Sequence, residues 1–214
     1  MTTTVRETAM ETRFVLSNVS WDTYEALLKD YENSSAPRFA YDKGVLEIVG
    51  LAPRHEKAAE NISRLVEAVA VERVFDLVPL RSTTWKRHDL EQGFEADASY
   101  YIANADRMQD KEAYDLRVDP PPDLVVEVDN TRSSIDKLAL FAAFGVPEVW
   151  RYDGDQLEIQ LLGSGRYTVA AESRALPGVT AEAMNALLAS RSRETFPVWI
   201  RRIREWAQGI AAGE

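Results

Sequence analysis

Residues 120–150 constrain the fold of this chain more than any other stretch. Three consecutive prolines end the preceding segment, and the run Leu-Val-Val-Glu-Val that begins at Leu124 is typical of a buried strand. A helix is predicted next, with Ser133 as its N-cap and an acid at the capping-box spacing, and it ends at Gly145. A second strand is predicted over residues 146–151. A strand–helix–strand unit of this length predicts a right-handed parallel crossover.

The first of these strands carries a residue that ordinary packing does not explain. Strand alternation puts Glu127 on the same face as Val125 and Asp129, in a run that is otherwise apolar. A buried carboxylate costs several kcal/mol unless something pairs with it. Glu127 therefore marks either a functional site or a structural salt bridge, and the pattern alone leaves both readings open.

A second strand with internal acids is predicted over residues 94–102, where Glu95 and Asp97 share one face. Carboxylates from neighbouring strands are typical ligands of hard cations such as Mg²⁺. We therefore expect Asp97 and Glu127 to hold a metal ion, with Glu95 and Asp129 as auxiliary ligands. Taken alone, Asp97 fits an exposed strand residue equally well.

Lys137 falls in the first turn of the helix that follows the Glu127 strand. In open α/β sheets, ligands bind where strands end and the following helices begin. A metal held by two carboxylates polarises a phosphoryl oxygen and activates water, and a lysine positions the nucleophile or stabilises developing charge. Asp97, Glu127 and Lys137 are thus the predicted catalytic residues, although a lone lysine here is also ordinary helix surface. His55, at the start of the longest helix, is interpreted as a solvated or capping residue.

The remaining pattern predicts a mixed α/β (α+β) protein. The predicted domains are a flexible tail (1–13), one domain (14–192) and an amphipathic C-terminal helix (193–214). Within the domain, a helix from Ser20 and a hairpin at residues 38–49 precede the crossover, and an antiparallel meander at residues 157–170 follows it. Trp199 and Trp206 form an apolar stripe on the last helix, and this stripe favours a homodimer.

Composition excludes several classes of protein. The chain has 214 residues, 45% of them hydrophobic, and no cysteine, so disulfides and thiolate chemistry are excluded. No apolar stretch is long enough for a membrane span, and the first residues lack the apolar core of a signal peptide, so a cytoplasmic location is expected. The net charge of −10 argues against non-specific nucleic-acid binding. A local basic cluster, residues 81–88, is a weakly specific candidate for phosphate contacts.

Taken together, five segments resemble the Uma-two family, whose members are assigned as endonucleases in the restriction-endonuclease-like PD-(D/E)xK superfamily. The resemblance covers roughly residues 20–190. The segments are Arg-Phe-Ala-Tyr-Asp-Lys-Gly-Val-Leu-Glu-Ile from Arg38, Pro-Arg-His-Glu from Pro53, Ser-Thr-Thr-Trp-Lys-Arg from Ser82, Gly-Phe-Glu-Ala-Asp-Ala-Ser-Tyr-Tyr from Gly93, and residues 119–153.

The resemblance implies a mixed central β-sheet flanked by helices, and Mg²⁺-dependent hydrolysis of DNA phosphodiester bonds, with Mn²⁺ as an alternative ion. Asp97 matches the aspartate of the superfamily's Pro-Asp element, although Ala96 stands in place of the proline, and Glu127 matches the second acid. Asp129 stands where the superfamily motif has lysine. Lys137 resembles the family's recurrent Asp-Lys on the following helix, and it is expected to take that lysine's role.

Two other functions remain open at the level of sequence. A catalytically silent dimer with the nuclease fold, binding nucleic acid or protein, suits the acidic net charge. A metal-dependent hydrolase of small phosphate esters would use the same carboxylates.

Overall fold

The computed structural model describes residues 12–34, 36–129 and 133–210. The strands of this part of the chain are β1 (Thr12–Leu16), β2 (Arg38–Asp42), β3 (Val45–Gly50), β4 (Val78–Pro79), β5 (Thr84–Arg87), β6 (Gln92–Glu95), β7 (Ala98–Tyr101), β8 (Leu124–Val128), β9 (Glu148–Tyr152), β10 (Leu157–Gly163) and β11 (Arg166–Ala170). Its α-helices are α1 (Trp21–Asp30), α2 (Pro53–Arg73), α3 (Ala105–Met108), α4 (Lys137–Ala143), α5 (Ala181–Ser190) and α6 (Phe196–Gly209). None of these helices is long and apolar enough to cross a membrane.

The strands form two sheets. The larger has the order β11-β10-β9-β8-β7-β4 and is mixed, because β8 and β9 pair in parallel while their other neighbours are antiparallel. The smaller has the order β1-β3-β2-β6-β5 and is antiparallel throughout. The expected mixed α/β class is confirmed, and the hairpin β2–β3 belongs to a second sheet beside the central one.

The predicted strand–helix–strand unit with parallel strands is confirmed as β8, α4 and β9, with Glu127 directly opposite Arg151 in the parallel register. The predicted N-cap is wrong. Asp136 caps α4 by accepting a hydrogen bond from Ala139 N, whereas the Ser133 hydroxyl donates to the carboxylate of Glu47 in the smaller sheet. Helix α4 begins at Lys137, so Ser133 lies in the segment before it, where its hydroxyl also accepts a hydrogen bond from Ile135 N.

The prediction of a single strand over residues 94–102 is wrong, because two strands of different sheets lie there. β6 ends at Glu95 in the smaller sheet, and β7 begins at Ala98 in the larger one. Ala96 and Asp97 are the link between the two sheets, so the predicted alternation of faces does not continue through them. Asp97 consequently lies at the junction of the sheets.

The central sheet packs on both faces. Leu124, Val126 and Val128 of β8 face the core that α2, α5 and α6 cover, where α2 contributes a row of fully buried residues. Val125, on the opposite face, packs in a second core with Phe94 of the smaller sheet and Phe141 of α4. The side chain of Glu127 lies on this second face by strand alternation. Its carboxylate is therefore directed between the two sheets.

The apolar stripe of α6 is not exposed, contrary to the prediction. Trp199 and Ile203 are fully buried, and the Trp199 indole donates a hydrogen bond to Leu187 O at 2.8 Å. Helix α6 packs against α2 of the same chain. The homodimer therefore stays a prediction, and the stripe of α6 no longer supports it. Residues 12 and 13, expected in the tail, belong to β1, and the rest of the predicted tail lies outside the described residues.

Replacing Ile203 with alanine tests this packing. Removing a fully buried isoleucine is expected to lower the free energy of unfolding by about 2–5 kcal/mol. Val198→Ala on the same helix is the control, because Val198 is about half exposed and its replacement is expected to change the value by less than about 0.5 kcal/mol. Urea unfolding followed by circular dichroism measures both, and equal effects would contradict the burial of the stripe.

Candidate active site

The three predicted catalytic residues lie together. Asp97, Glu127 and Lys137 line one cavity of about 20 Å³ between the two sheets. They reach it from different elements: Asp97 from the link between β6 and β7, Glu127 from β8, and Lys137 from the first position of α4. The sequence prediction of a shared site for these residues thus agrees with their placement.

Asp97 is held at the end of β8. Its Oδ2 accepts a hydrogen bond from Val128 N at 2.7 Å, and its side chain is almost fully buried. Burial raises the pKa of Asp97 to about 6, although the positive charge of Lys137, the Val128 hydrogen bond and the charge of Arg38 oppose this shift. The carboxylate is thus fixed in place but has little compensation for its charge.

Glu127 and Lys137 form an ion pair in which the ammonium contacts Oε1. Burial raises the pKa of Glu127 to about 7; Lys137 opposes the shift, and the negative charge of Asp97 adds to it. For Lys137, burial lowers the pKa, but the charges of Glu127 and Asp97 outweigh this effect and the pKa lies above its ordinary value. Glu127 Oε2 is buried and has no hydrogen-bond partner among the described residues.

Glu47 of β3 is a residue of the site that sequence analysis missed. Its fully buried carboxylate receives a salt bridge from Arg13 and hydrogen bonds from the Ser133 hydroxyl and from Ser134 N at 2.9 Å. It thereby ties the smaller sheet to the segment just before Lys137. The only signal in the sequence is an acid between Leu46 and Ile48 of the hairpin, which is a weak one.

The predicted auxiliary ligands are both engaged elsewhere. Glu95 lines the same cavity, but its two oxygens accept hydrogen bonds of 2.8 Å from Phe39 N and from the Thr84 hydroxyl. Asp129 accepts a hydrogen bond of 3.1 Å from Arg151 Nη2. Their role as metal ligands stays a prediction.

His55 is buried, so the interpretation of a solvated or capping residue is wrong. Its Nε2 lies 2.7 Å from Val128 O and 3.4 Å from Asp97 Oδ2. The ring thus joins the first turn of α2 to the end of β8 and to Asp97. Helical spacing could not reveal this contact, because its partner is 73 residues away.

Two larger cavities adjoin the central one, and we call the three cavities together the crevice. A cavity of about 230 Å³ shares Arg38 and Asp97 with the central cavity and includes Arg81. A cavity of about 250 Å³ shares Glu127 and Lys137 with it and includes Arg151. The crevice therefore has buried acids at its centre and arginines on both sides.

The basic cluster predicted at residues 81–88 does not act as a unit. Arg81 lines the crevice, but Lys86 pairs with Glu25 and Arg87 pairs with Asp89. Only the first of these positions is placed to contact a ligand in the crevice.

The raised carboxyl pKa values predict how stability depends on pH without metal. Between about pH 4 and pH 7 the folded chain retains protons on Asp97 and Glu127 that the unfolded chain has released, so the free energy of unfolding should fall as pH rises. Asp97→Asn keeps an acceptor for Val128 N and removes one titrating group. In urea titrations with chelator, the free energy of unfolding of Asp97→Asn should therefore fall less between pH 4 and pH 6 than that of the wild type.

Asp115→Asn is the matched control. Asp115 is an exposed acid whose pKa is lowered to about 2 by hydrogen bonds from the Arg117 side chain and backbone. Its stabilising contribution is therefore present above its ordinary pKa and lost below it, so its removal should leave the slope between pH 4 and pH 7 unchanged. Identical slopes for the wild type and Asp97→Asn would show that Asp97 ionises in the folded protein as it does in water.

Comparison with known proteins agrees with the fold. The model of the family Uma2, described as "Putative restriction endonuclease", matches residues 21–187. A solved structure of a putative nuclease belonging to DUF820, from Anabaena variabilis ATCC 29413, is similar over 88% of this chain and 99% of its own, with a TM-score of 0.51 and 13% identity. A search of curated proteins finds no match. The family model covers more than half of the sequence, and this chain belongs to the Uma2 family.

Proposed function

We propose that this protein is a metal-dependent endonuclease that hydrolyses phosphodiester bonds of DNA. Asp97 and Glu127 bind Mg²⁺, or Mn²⁺ in its place, and Lys137 assists the attack of water. The observation that carries this proposal is that the side chains of Asp97, Glu127 and Lys137 line one small cavity. The family and the nuclease fold of its structural relative support a nuclease.

The residues of the cavity fit a small hard cation. A space of about 20 Å³ admits a particle of roughly the size of one water molecule. Glu127 Oε2 is buried without a partner among the described residues, which is costly unless a ligand completes it. The described residues contain no group of three or more His, Asp or Glu side chains arranged to hold a metal. This suits Mg²⁺, which commonly takes only one or two carboxylates and fills its shell with water and phosphate oxygens.

When bound, such an ion polarises a phosphoryl oxygen and lowers the pKa of bound water. The protein's own groups would hold the charges around the reacting phosphate. Lys137, whose pKa is raised, stays protonated at neutral pH and can donate to an oxygen of the phosphate or of the attacking water. Glu127 orients Lys137 through the ion pair, and Val128 N orients Asp97. Lys137 therefore acts as a fixed positive charge and hydrogen-bond donor.

A second candidate, the catalytically silent nuclease-fold dimer, draws on the same geometry. Asp97 and Glu127 are almost closed to solvent, and Lys137 already neutralises one oxygen of Glu127. The acidic net charge also disfavours an unassisted approach of nucleic acid. This candidate predicts that the wild type cleaves no more than a variant without Asp97.

Cleavage of supercoiled plasmid with Mg²⁺ or Mn²⁺ tests the two functions. Asp97→Ala and Glu127→Ala are expected to reduce the rate of nicking by about a hundredfold or more, because each removes a charged group at the reacting phosphate. Glu182→Ala replaces an exposed carboxylate of α5 and should cleave like the wild type. Equal rates for wild type and Asp97→Ala would end the nuclease proposal and favour the silent dimer, whose assembly sedimentation velocity would then establish.

A further inference from the structure

Arg151 of β9 is a cation of the crevice to which the proposed mechanism gives no role. It stands directly opposite Glu127 in the parallel pairing of β8 and β9, so both side chains lie on the same face of the sheet. Neighbouring strands are about 4.8 Å apart. The Arg151 side chain therefore begins on the strand next to that of Glu127. It lines the adjoining cavity of about 250 Å³.

Asp129 fixes the direction of this arginine. Arg151 Nη2 donates to Asp129 Oδ2 at 3.1 Å; the Asp129 side chain is 12% exposed, and that of Arg151 is 41% exposed. The aspartate is thus mostly shielded from solvent, and the arginine is considerably more exposed. Glu158, the other acid opposite Arg151, accepts a hydrogen bond from Gln160 instead. Asp129 occupies the position where the superfamily motif has a lysine. In this chain the residue at that position is not itself a cation, but it holds the cationic side chain of Arg151 in place.

The guanidinium has capacity for a ligand. It carries five N–H donors in a planar fork, and its hydrogen bond within the described part of the chain uses one of them. A fork of this shape matches two oxygens of a phosphate. The same cavity is also lined by the apolar side chains of Ile135, Leu138, Phe141 and Val149. A cation and apolar side chains in one cavity suit the phosphate and the sugar or base of one nucleotide.

We propose that Arg151, positioned by Asp129, binds a backbone phosphate of a polynucleotide next to the phosphodiester that lies at Glu127 and Lys137. This inference rests on the proposed nuclease function for the class of its ligand. It gives Asp129 a positioning role toward Arg151. Arg151 would also provide positive charge locally, in a protein whose net charge of −10 otherwise repels a polynucleotide.

Binding measured without cleavage tests the proposal. Fluorescence anisotropy with a labelled single-stranded oligonucleotide and its duplex, in chelator and at several KCl concentrations, gives the affinity and its salt dependence. Arg151→Gln is expected to weaken binding about tenfold. It should also reduce the slope of log K against log [KCl] by about 0.7 for the single strand or 0.9 for the duplex, the loss of one phosphate contact. Arg151→Lys should keep the slope and bind more weakly than the wild type, because it lacks the fork.

Arg117→Gln is the matched control. Arg117 is likewise an exposed arginine in an ion pair with an aspartate, Asp115, but it lies on the segment between α3 and β8. Its replacement should leave the affinity and the slope unchanged. Equal losses for Arg117→Gln and Arg151→Gln would overturn the proposal, since any surface cation would then serve. So would wild-type protein that binds neither oligonucleotide.

Asp129→Asn separates positioning from metal binding. As a positioning residue, Asp129 should matter only through Arg151, so the double variant with Arg151→Gln should bind no more weakly than Arg151→Gln alone. If Asp129→Asn instead raises the Mg²⁺ concentration needed for cleavage while Arg151→Gln does not, Asp129 serves the metal and the proposal is overturned. Binding that depends on Arg151 in a protein that never cleaves would end the proposed nuclease and keep this inference. Cleavage and binding unaffected by Arg151→Gln would end this inference and keep the nuclease.

Discussion

The ion pair between Lys137 and Glu127 is the interaction on which the centre of this molecule depends. Three carboxylates, those of Glu47, Asp97 and Glu127, are buried where the two sheets meet, and each buried charge costs several kcal/mol unless it is compensated. Glu47 is fully compensated by Arg13, Ser133 and Ser134. Without the ammonium of Lys137, the carboxylates of Asp97 and Glu127 would lose their largest opposing charge, and Asp97 would keep the hydrogen bond from Val128 N and the charge of Arg38. Their incomplete compensation is the observation that favours the proposed site over a purely structural salt bridge.

The elements that could be predicted from sequence are those whose signals are local. The apolar run of β8, the proline and glycine boundaries of the crossover, and the strand alternation that directs Glu127 away from Val126 all depend on neighbours in the chain. The position of Lys137 follows from them, because a helix that starts after a strand end brings its first turn to the site.

The contacts that escaped prediction are long-range. An alternating run gives no sign that the chain changes sheets within it, so residues 94–102 were predicted as one strand although Ala96 and Asp97 leave one sheet for the other. Ser133 is a residue type that often caps helices, but Asp136 caps α4, and the Ser133 hydroxyl donates to Glu47, which only the fold brings near. The stripe of α6 was predicted to face a second copy of the chain, because sequence could not say that its partner is α2 of the same chain.

The short link of Ala96 and Asp97 has a consequence for the motions of the molecule. If the smaller sheet swings away from the larger, Asp97 is drawn from Val128 N, and the site comes apart before either sheet unfolds. A ligand that binds only the closed arrangement opposes this opening by mass action. Amides of β2 and β6 would then exchange with solvent more slowly when the site is filled. The rate of amide exchange in the smaller sheet would therefore show whether the site is occupied.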